Sequence, residues 1–279
     1  MRKTFVLLSF LSMCFLAFCF CTPGNGADDT KNKTIIKNVR TTLSYMHYRP
    51  QMINDDFSEE VFNAYFEKLD PDKRYFLQTD YDAFKKDIHN LDDYFNNQDL
   101  RFFHATVDTL YKRVEDAKAY SSEILKEPFD FSLNEELLLG EDVIEYAKDT
   151  SEAKDLWRKY LKYSTLLELT RLQEDSSKMD LPLVDLEKEA RETVTDNIED
   201  FFRRRLQLKK DRFFTLYINS FTEKYDPHTS YFSPQDKDDF DVNISGQLEG
   251  IGAKLQDKKG YATIMELVIG GPAWKDGQL

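Results

Sequence analysis

Apolar positions recur at helical spacing from residue 35 to about 224, and alternate after Ser245. Ile35, Val39, Leu43 and Met46 define one face of a helix predicted to end near Pro50. The polar stretch Ala27–Lys33 before it is expected to be frayed. Asp55 or Asp56 is placed to cap a second helix, with Glu59 and Glu60 near its positive end. Phe57, Val61, Phe62, Tyr65, Phe66 and Leu69 give that helix a wide aromatic stripe. Asp70-Pro71 stops it, because a residue before proline is pushed out of the α region. Tyr75-Phe76-Leu77-Gln78-Thr79-Asp80 then leads into a helix carrying Tyr81, Phe84 and Ile88.

Leu100 to Leu125 predicts a long helix with Phe103, Val107, Leu110, Val114, Ala117 and Ile124 on one side. After Pro128, Leu133 to Ala147 predicts a shorter helix, whose Leu137-Leu138-Leu139 run suggests burial on more than one side or a contact surface. Asp155 to Arg171 is amphipathic through Leu156, Tyr160, Tyr163, Leu167 and Thr170. Pro182 lies near a first helical turn. Val184 to Lys224 predicts one long helix or two nearly collinear ones. Its basic residues, Arg203-Arg204-Arg205 and Lys209-Lys210, are expected on a solvated face paired with acids. Ile251–Gln256 and Tyr261–Val268 predict two strands joined by a turn at Asp257-Lys258-Lys259-Gly260. Gly270-Gly271-Pro272-Ala273 predicts a turn into a helix start.

Composition supports long helices. The chain is 41% apolar with 22 Phe and 15 Tyr, enough for a sizeable core, and its 10 Gly and 8 Pro argue against a sandwich or barrel. A net charge of −13 argues against a nucleic-acid partner, since phosphate binding needs clustered Lys and Arg. Residues 1–26 have the pattern of a secretory signal: Arg2 and Lys3, an apolar run from Phe5 to Cys21, then Gly24 and Gly26 before Ala27. The rival readings are a lipoprotein signal or a retained anchor. Lipidation would need a small residue before the cysteine, but Cys14, Cys19 and Cys21 follow Met13, Phe18 and Phe20. All three cysteines lie in this segment, so residues 27–279 have no disulfide, thiol nucleophile or cysteine zinc site.

One pattern occurs twice. Asp70-Pro71-x-x-x-Tyr75-Phe76, with Asp80 and Phe84 after it, returns as Asp226-Pro227-x-x-x-Tyr231-Phe232, with Asp236 and Phe240. It is read as a stop-and-restart device reused, in preference to an internal repeat. The second copy belongs to a longer match. Asp226, Pro227, His228, Thr229, Tyr231, Phe232, Ser233 and Pro234, then Ser245, Leu248, Glu249, Gly250, Ile251, Gly252 and Ala253, resemble the tail-specific, or C-terminal processing, serine endopeptidases of bacteria. LDPDKRYFLQTD, beginning at Leu69, also resembles that family, and the resemblance is taken to run from there onward. It implies a mostly α fold: a signal at 1–26, a multi-helix N-terminal domain at 27–243, and an incomplete α+β PDZ domain at 244–279.

The candidate site is the loop Leu248-Glu249-Gly250-Ile251-Gly252-Ala253. Two glycines let backbone N–H groups converge on a ligand. A substrate C-terminal carboxylate would bind there while its peptide adds as a strand beside Ile251 to Leu255. The bland alternative is a glycine corner without function, and the resemblance favours the site. His228 reads as a loop residue; His47, His89 and His104 form no metal spacing, and no metal or cofactor is expected. There is no G-x-S-x-G elbow. The resemblance implies a Ser nucleophile with a Lys base downstream of the PDZ domain, so no residue up to Leu279 takes either role and the chain alone is expected to be inactive. It further implies export to the periplasm, substrate proteins with apolar C-termini, an envelope adaptor as a further partner, and membrane contact only through a signal anchor or lipid. A non-catalytic helical interaction protein of the cell envelope is the alternative.

Overall fold

In a computed structural model, residues 26–140, 145–178, 180–245, 250–258 and 260–278 are described. The signal-like segment before residue 26 lies outside them. The described residues form ten α-helices and one two-stranded antiparallel sheet. The mostly α expectation is met, with the small sheet confined to the C-terminal part.

The first two helices differ from expectation at their starts. Helix α1 spans Gly26–Tyr45, so Ala27–Lys33 is helical rather than frayed. Its inward face is Asn32, Ile36 and Leu43; Met46 is exposed. Lys31 bonds Asp211 at 2.9 Å and Asp29 meets His104 at 2.9 Å, which ties the early turns to later helices. Helix α2 spans Asp55–Leu69, but its cap is Asn54, not Asp55 or Asp56. The Asn54 carboxamide accepts from the Phe57 N–H at 3.1 Å, while both aspartates occupy the first turn beside the positive helix end.

Helix α2 is the centre of the core. Phe57, Val61, Phe62, Tyr65, Phe66 and Leu69 are all buried, as their spacing requires. Helices α3 (Gln78–Phe84), α4 (Leu91–Asn97) and α5 (Arg101–Ile124) close round one side. Tyr65 shows how the packing stays polar-satisfied. Its ring meets Tyr217 edge-on at 5.2 Å, and its hydroxyl reaches Thr106 at 3.0 Å. Phe95 of α4 stacks on Phe221 at 4.4 Å.

The stretch expected as one helix or a collinear pair from Val184 to Lys224 is two helices, α7 (Leu183–Gln207) and α8 (Lys210–Tyr225). Leu208 and Lys209 between them are extended, and Tyr111 bonds the Leu208 carbonyl. Helix α8 carries Phe213, Phe214, Tyr217, Ile218 and Phe221 into the core against α2.

The Leu133–Ala147 helix is not formed. Residues 133–139 form no helix, Ala147 pairs in parallel with Leu77, and 141–144 lie outside the described residues. Contacts explain the difference. Phe131 packs near Leu169 and Leu172, Glu135 is held by Arg158 and Lys162, and Ala147 clusters with Ala153. The segment therefore runs as a strap backwards along helix α6 (Thr150–Gln173). Glu135 and Leu137 turn inward while Glu136 and Leu138 turn out, the alternation of an extended chain. Three consecutive leucines thus mark a strap with two faces.

Helix α6 buries a face one residue away from the expected one. Ala153, Trp157, Leu161, Thr165, Leu169 and Leu172 are inside, whereas Tyr163 and Leu167 are exposed. Two neighbours decide this. Trp157 meets Phe202 of α7 at 5.3 Å, and Leu161 packs with Leu125 and Val194.

Both copies of the Asp-Pro device behave alike. Asp70 and Asp226 each close a helix through an N–H bond to the residue four back, Phe66 and Thr222, at 3.0 Å. Asp80 accepts from the Leu77 N–H at 2.9 Å and Asp236 from the Ser233 N–H at 3.3 Å, opening α3 and helix α9 (Pro234–Ser245). Their surroundings differ. Asp70 is 2% exposed, and its carboxylate accepts the N–H groups of Arg74, Tyr75 and Phe76, each at 2.9 Å. Burial pushes the Asp70 carboxyl up, and those three donors and Arg205 pull it back. Asp226 lies nearer solvent and is held below the usual carboxylate range, first by the His228 N–H and then by the Tyr48 hydroxyl. Phe76 is buried, but Phe232 is half exposed and stacks only on Phe240, at 5.3 Å.

The basic run is divided. Arg203 and Arg204 pair with Asp200, as expected of a solvated face. Arg205 does not: it lies over the Tyr75 ring at 5.4 Å and donates to the Leu69 carbonyl at 3.1 Å.

Two outcomes follow. Asp70→Ala leaves three N–H groups unpaired, that of Phe76 buried and those of Arg74 and Tyr75 partly so, and should lower unfolding free energy by more than about 2 kcal/mol, well beyond the loss for Asp226→Ala, by urea denaturation. Arg158 first, and then Lys162, hold the Glu135 carboxyl down to about 2, from an ordinary value of 4.5. A depressed carboxylate stabilises the fold above its ordinary value and loses that contribution as pH falls through the folded one. Pepsin should therefore cut the strap at Leu137–Leu139 increasingly as pH falls from 4.5 toward about 2, and in Glu135→Gln already at 4.5.

Candidate peptide-binding site

Strand β1 (Ala253–Lys258) pairs antiparallel with β2 (Tyr261–Leu267), from Ala253 opposite Leu267 to Lys258 opposite Tyr261. The turn is thus tighter than expected, with Lys258 already in the ladder. Gly260 has φ +84° and donates its N–H to Asp257 at 2.9 Å. The register slips between Lys254 and Leu255, so Leu255 faces Ile264. Both strands expose their apolar side chains. Leu255 is 54% exposed and Ile264 39%.

Four of the six candidate residues can be placed; Leu248 and Glu249 lie outside the described residues. Gly250 and Ile251 are exposed, Gly252 is buried, and Ala253 opens β1. Gly252 has φ +75°, and a Cβ there would meet the Pro272 Cδ at 2.9 Å and the Gly271 Cα at 3.1 Å. Gly271 is equally restricted, since its Cβ would meet the Val268 carbonyl oxygen at 2.9 Å. Two glycine backbones therefore pass in contact, and only glycine fits either position.

Carbonyls of the loop point to the protein. The Gly252 carbonyl accepts from Val268 N–H at 2.8 Å and the Ile251 carbonyl from Ala273 N–H at 2.9 Å. The N–H groups of Gly250, Ile251 and Gly252 donate to no described residue. Among the described residues the loop is thus anchored through its acceptors and leaves the N–H groups of Gly250, Ile251 and Gly252 without partners, the polarity a carboxylate needs. Gly271, Pro272 and Ala273 pack against this loop, where the sequence predicted a turn into a helix start. Their signal was the Gly-Gly-Pro run itself, with Gly271 capping and Pro272 opening the short helix α10 (Pro272–Asp276).

Other chemistry is sparse. His228 is a turn residue with its side chain in solvent, and His47 bonds Thr229 at 3.2 Å. Among the described residues no group of three His, Cys, Asp or Glu is placed to hold a metal ion. A cleft of about 640 Å³ opens between α6, α7 and the Asp70 turn, lined by Trp157, Tyr160, Phe201 and Arg205. It shares no lining residue with the glycine loop. A peptide added as a strand needs an open edge rather than a cavity.

Gly252→Ala forces an alanine into left-handed backbone against Pro272. It should destabilise the loop locally by about 1–2 kcal/mol, speeding amide exchange at Val268 and Ala273. Gly250→Ala, with nothing within 4 Å of the added Cβ, should leave both amides unchanged.

Comparison with known proteins places this architecture. The description "Tail specific protease N-terminal domain" matches residues 39–235, beginning ahead of Leu69 and so including part of α1 and all of α2. The tail-specific protease of Haemophilus influenzae is 29% identical over 245 residues, which is 87% of this chain and 33% of that protein. The carboxy-terminal processing protease CtpA of Bacillus subtilis is 38% identical over 52 residues, 19% of this chain and 11% of its own. The chain therefore spans about a third of the length of the Haemophilus relative. Helical core, twice-used Asp-Pro device and these matches agree: the chain belongs to the tail-specific protease family and carries its N-terminal domain.

Proposed function

We propose that this chain recruits substrate proteins for an exported tail-specific protease by holding their C-termini. The helical domain serves as the platform. The loop Leu248–Ala253 is the carboxylate seat, and the hairpin is the opening of a PDZ domain whose β1 takes the substrate as an added strand. The substrates are periplasmic proteins ending in apolar residues, and peptide bonds are cut by a Ser nucleophile with a Lys base elsewhere in the protease.

One observation carries this reading. Among the described residues strand β1 pairs only with β2, which leaves its outer edge open directly after Gly250, Ile251 and Gly252, whose N–H groups have no described partner. Strand addition supplies main-chain hydrogen bonds, the open N–H groups supply the terminus, and apolar side chains at Ile251 and Leu255 line the path. The same exposure makes binding weak, because Leu255, Ile264 and Val268 contribute little packing to a docked peptide. Among the described residues no helix is long and apolar enough to cross a membrane.

Amide shifts of the labelled chain test the reading. A peptide with an apolar last residue and a free carboxylate should move the resonances of Gly250, Ile251, Gly252 and Ala253. The same peptide with an amidated C-terminus should not. Equal shifts with both peptides, or shifts confined to the helical cleft, would overturn it.

A further inference from the structure

We propose that the Arg203–Asp257 ion pair is an electrostatic latch that sets how the hairpin stands on the helical domain. This rests on the reading of the hairpin as a peptide-binding element and adds a means of orienting it.

The geometry is a fork. Arg203 donates to Asp257 through Nη1 at 3.1 Å and Nη2 at 2.9 Å. The same guanidinium is steered from within α7 by Asp200, through Nε at 3.3 Å and Nη2 at 3.2 Å. Among the described residues these are the side-chain hydrogen bonds that join the hairpin to the helices. Asp257 also shapes the turn. Its Oδ1 accepts the Gly260 N–H, so one carboxylate both grips the helical domain and closes the hairpin tip.

Position gives the latch its effect. Asp257 is near the tip of the hairpin, and the glycine loop is at the other end of β1, about 16 Å away at the rise of an extended strand. The tip is held to α7, while among the described residues the loop end is braced within its own unit, by Val268 and Ala273. The strands bury no apolar face against a helix, so hydrophobic packing does not impose one orientation. A planar fork between arginine and carboxylate does impose one, because both N–H bonds are satisfied together only over a narrow range of angles. The pair is partly open to solvent, Arg203 by 28% and Asp257 by 48%. Its hold is therefore modest and sensitive to salt. Such a latch keeps one arrangement dominant and yields when a bound chain presses on the hairpin.

The test measures orientation directly. In the chain with Cys14, Cys19 and Cys21 replaced by Ser, spin labels are placed at exposed Lys188→Cys on α7 and Ile269→Cys beyond β2. The latch predicts one narrow distance peak in low salt. That peak should be lost in Arg203→Asp and in Asp257→Arg, each of which sets like charges together, and recovered in the double variant that reverses both. Raising salt to about 1 M, where the screening length falls to about 3 Å, should broaden the peak of the unaltered pair. Circular dichroism confirms that each variant keeps its helices. A peak unmoved by either single reversal, or lost in both and not recovered in the double, would overturn the latch. Peptide shifts at the glycine loop, measured on the same variants, report separately on the binding reading: they should persist when the latch is open.

Discussion

The buried carboxylate of Asp70 is the constraint on which most of the helical domain depends. It stops α2, and by accepting three successive N–H groups it turns the chain so that Phe76 enters the core beside Phe66, at 5.4 Å, and α3 can start. The same turn reaches other helices. Trp157 of α6 donates to the Arg74 carbonyl at 3.2 Å, and Arg205 of α7 to the Leu69 carbonyl at 3.1 Å. A charge so deeply buried is tolerable because N–H dipoles surround it and a guanidinium lies near. Helices from three parts of the chain thus meet on one backbone turn.

The second Asp-Pro turn uses the same local chemistry without the burial. Asp226 closes α8 and Asp236 opens α9, and Asn219 supplies the tie to the core by accepting from the Tyr231 N–H at 2.7 Å and donating to its carbonyl. Of the aromatic pair after it, Tyr231 packs against the core while Phe232 stays half exposed. Equal sequence patterns therefore give equal turns, while the depth of each turn is set by what packs over it. The first is covered by α6 and the strap; the second leads outward to α9 and the hairpin.

At the hairpin the stabilising forces change in kind. The helical domain is held by aromatic burial around α2. The loop of Gly252 and the turn of Gly271 are held by backbone contact and two hydrogen bonds, and the tip by an ion pair. Such a unit has a defined local shape and a softly defined orientation. That combination is what the proposed docking of an extended chain requires, an open edge and available N–H groups more than a filled cavity.

Local signals in the sequence were sufficient wherever local physics decides. The stripe from Phe57 to Leu69, the stops at Asp70 and Asp226 and the Gly-Gly-Pro start all appear as read, and the hairpin appears with its first strand at Ala253–Lys258, two residues later than expected, because periodicity, proline and glycine act within a few residues. The glycine turn before β1 was legible for the same reason, with Gly252 at φ +75°. Tertiary structure decided the rest. Residues 133–139 became a strap because Arg158 and Lys162 hold Glu135, and an apolar run alone does not distinguish a helix from an extended segment. The inward face of α6 was chosen by Phe202, Leu125 and Val194, none near it in sequence. Arg205 left the solvated face because Tyr75 and the Leu69 carbonyl were within reach. Gly252 needs to be glycine because Gly271 and Pro272 come against it, a contact made only when the hairpin closes.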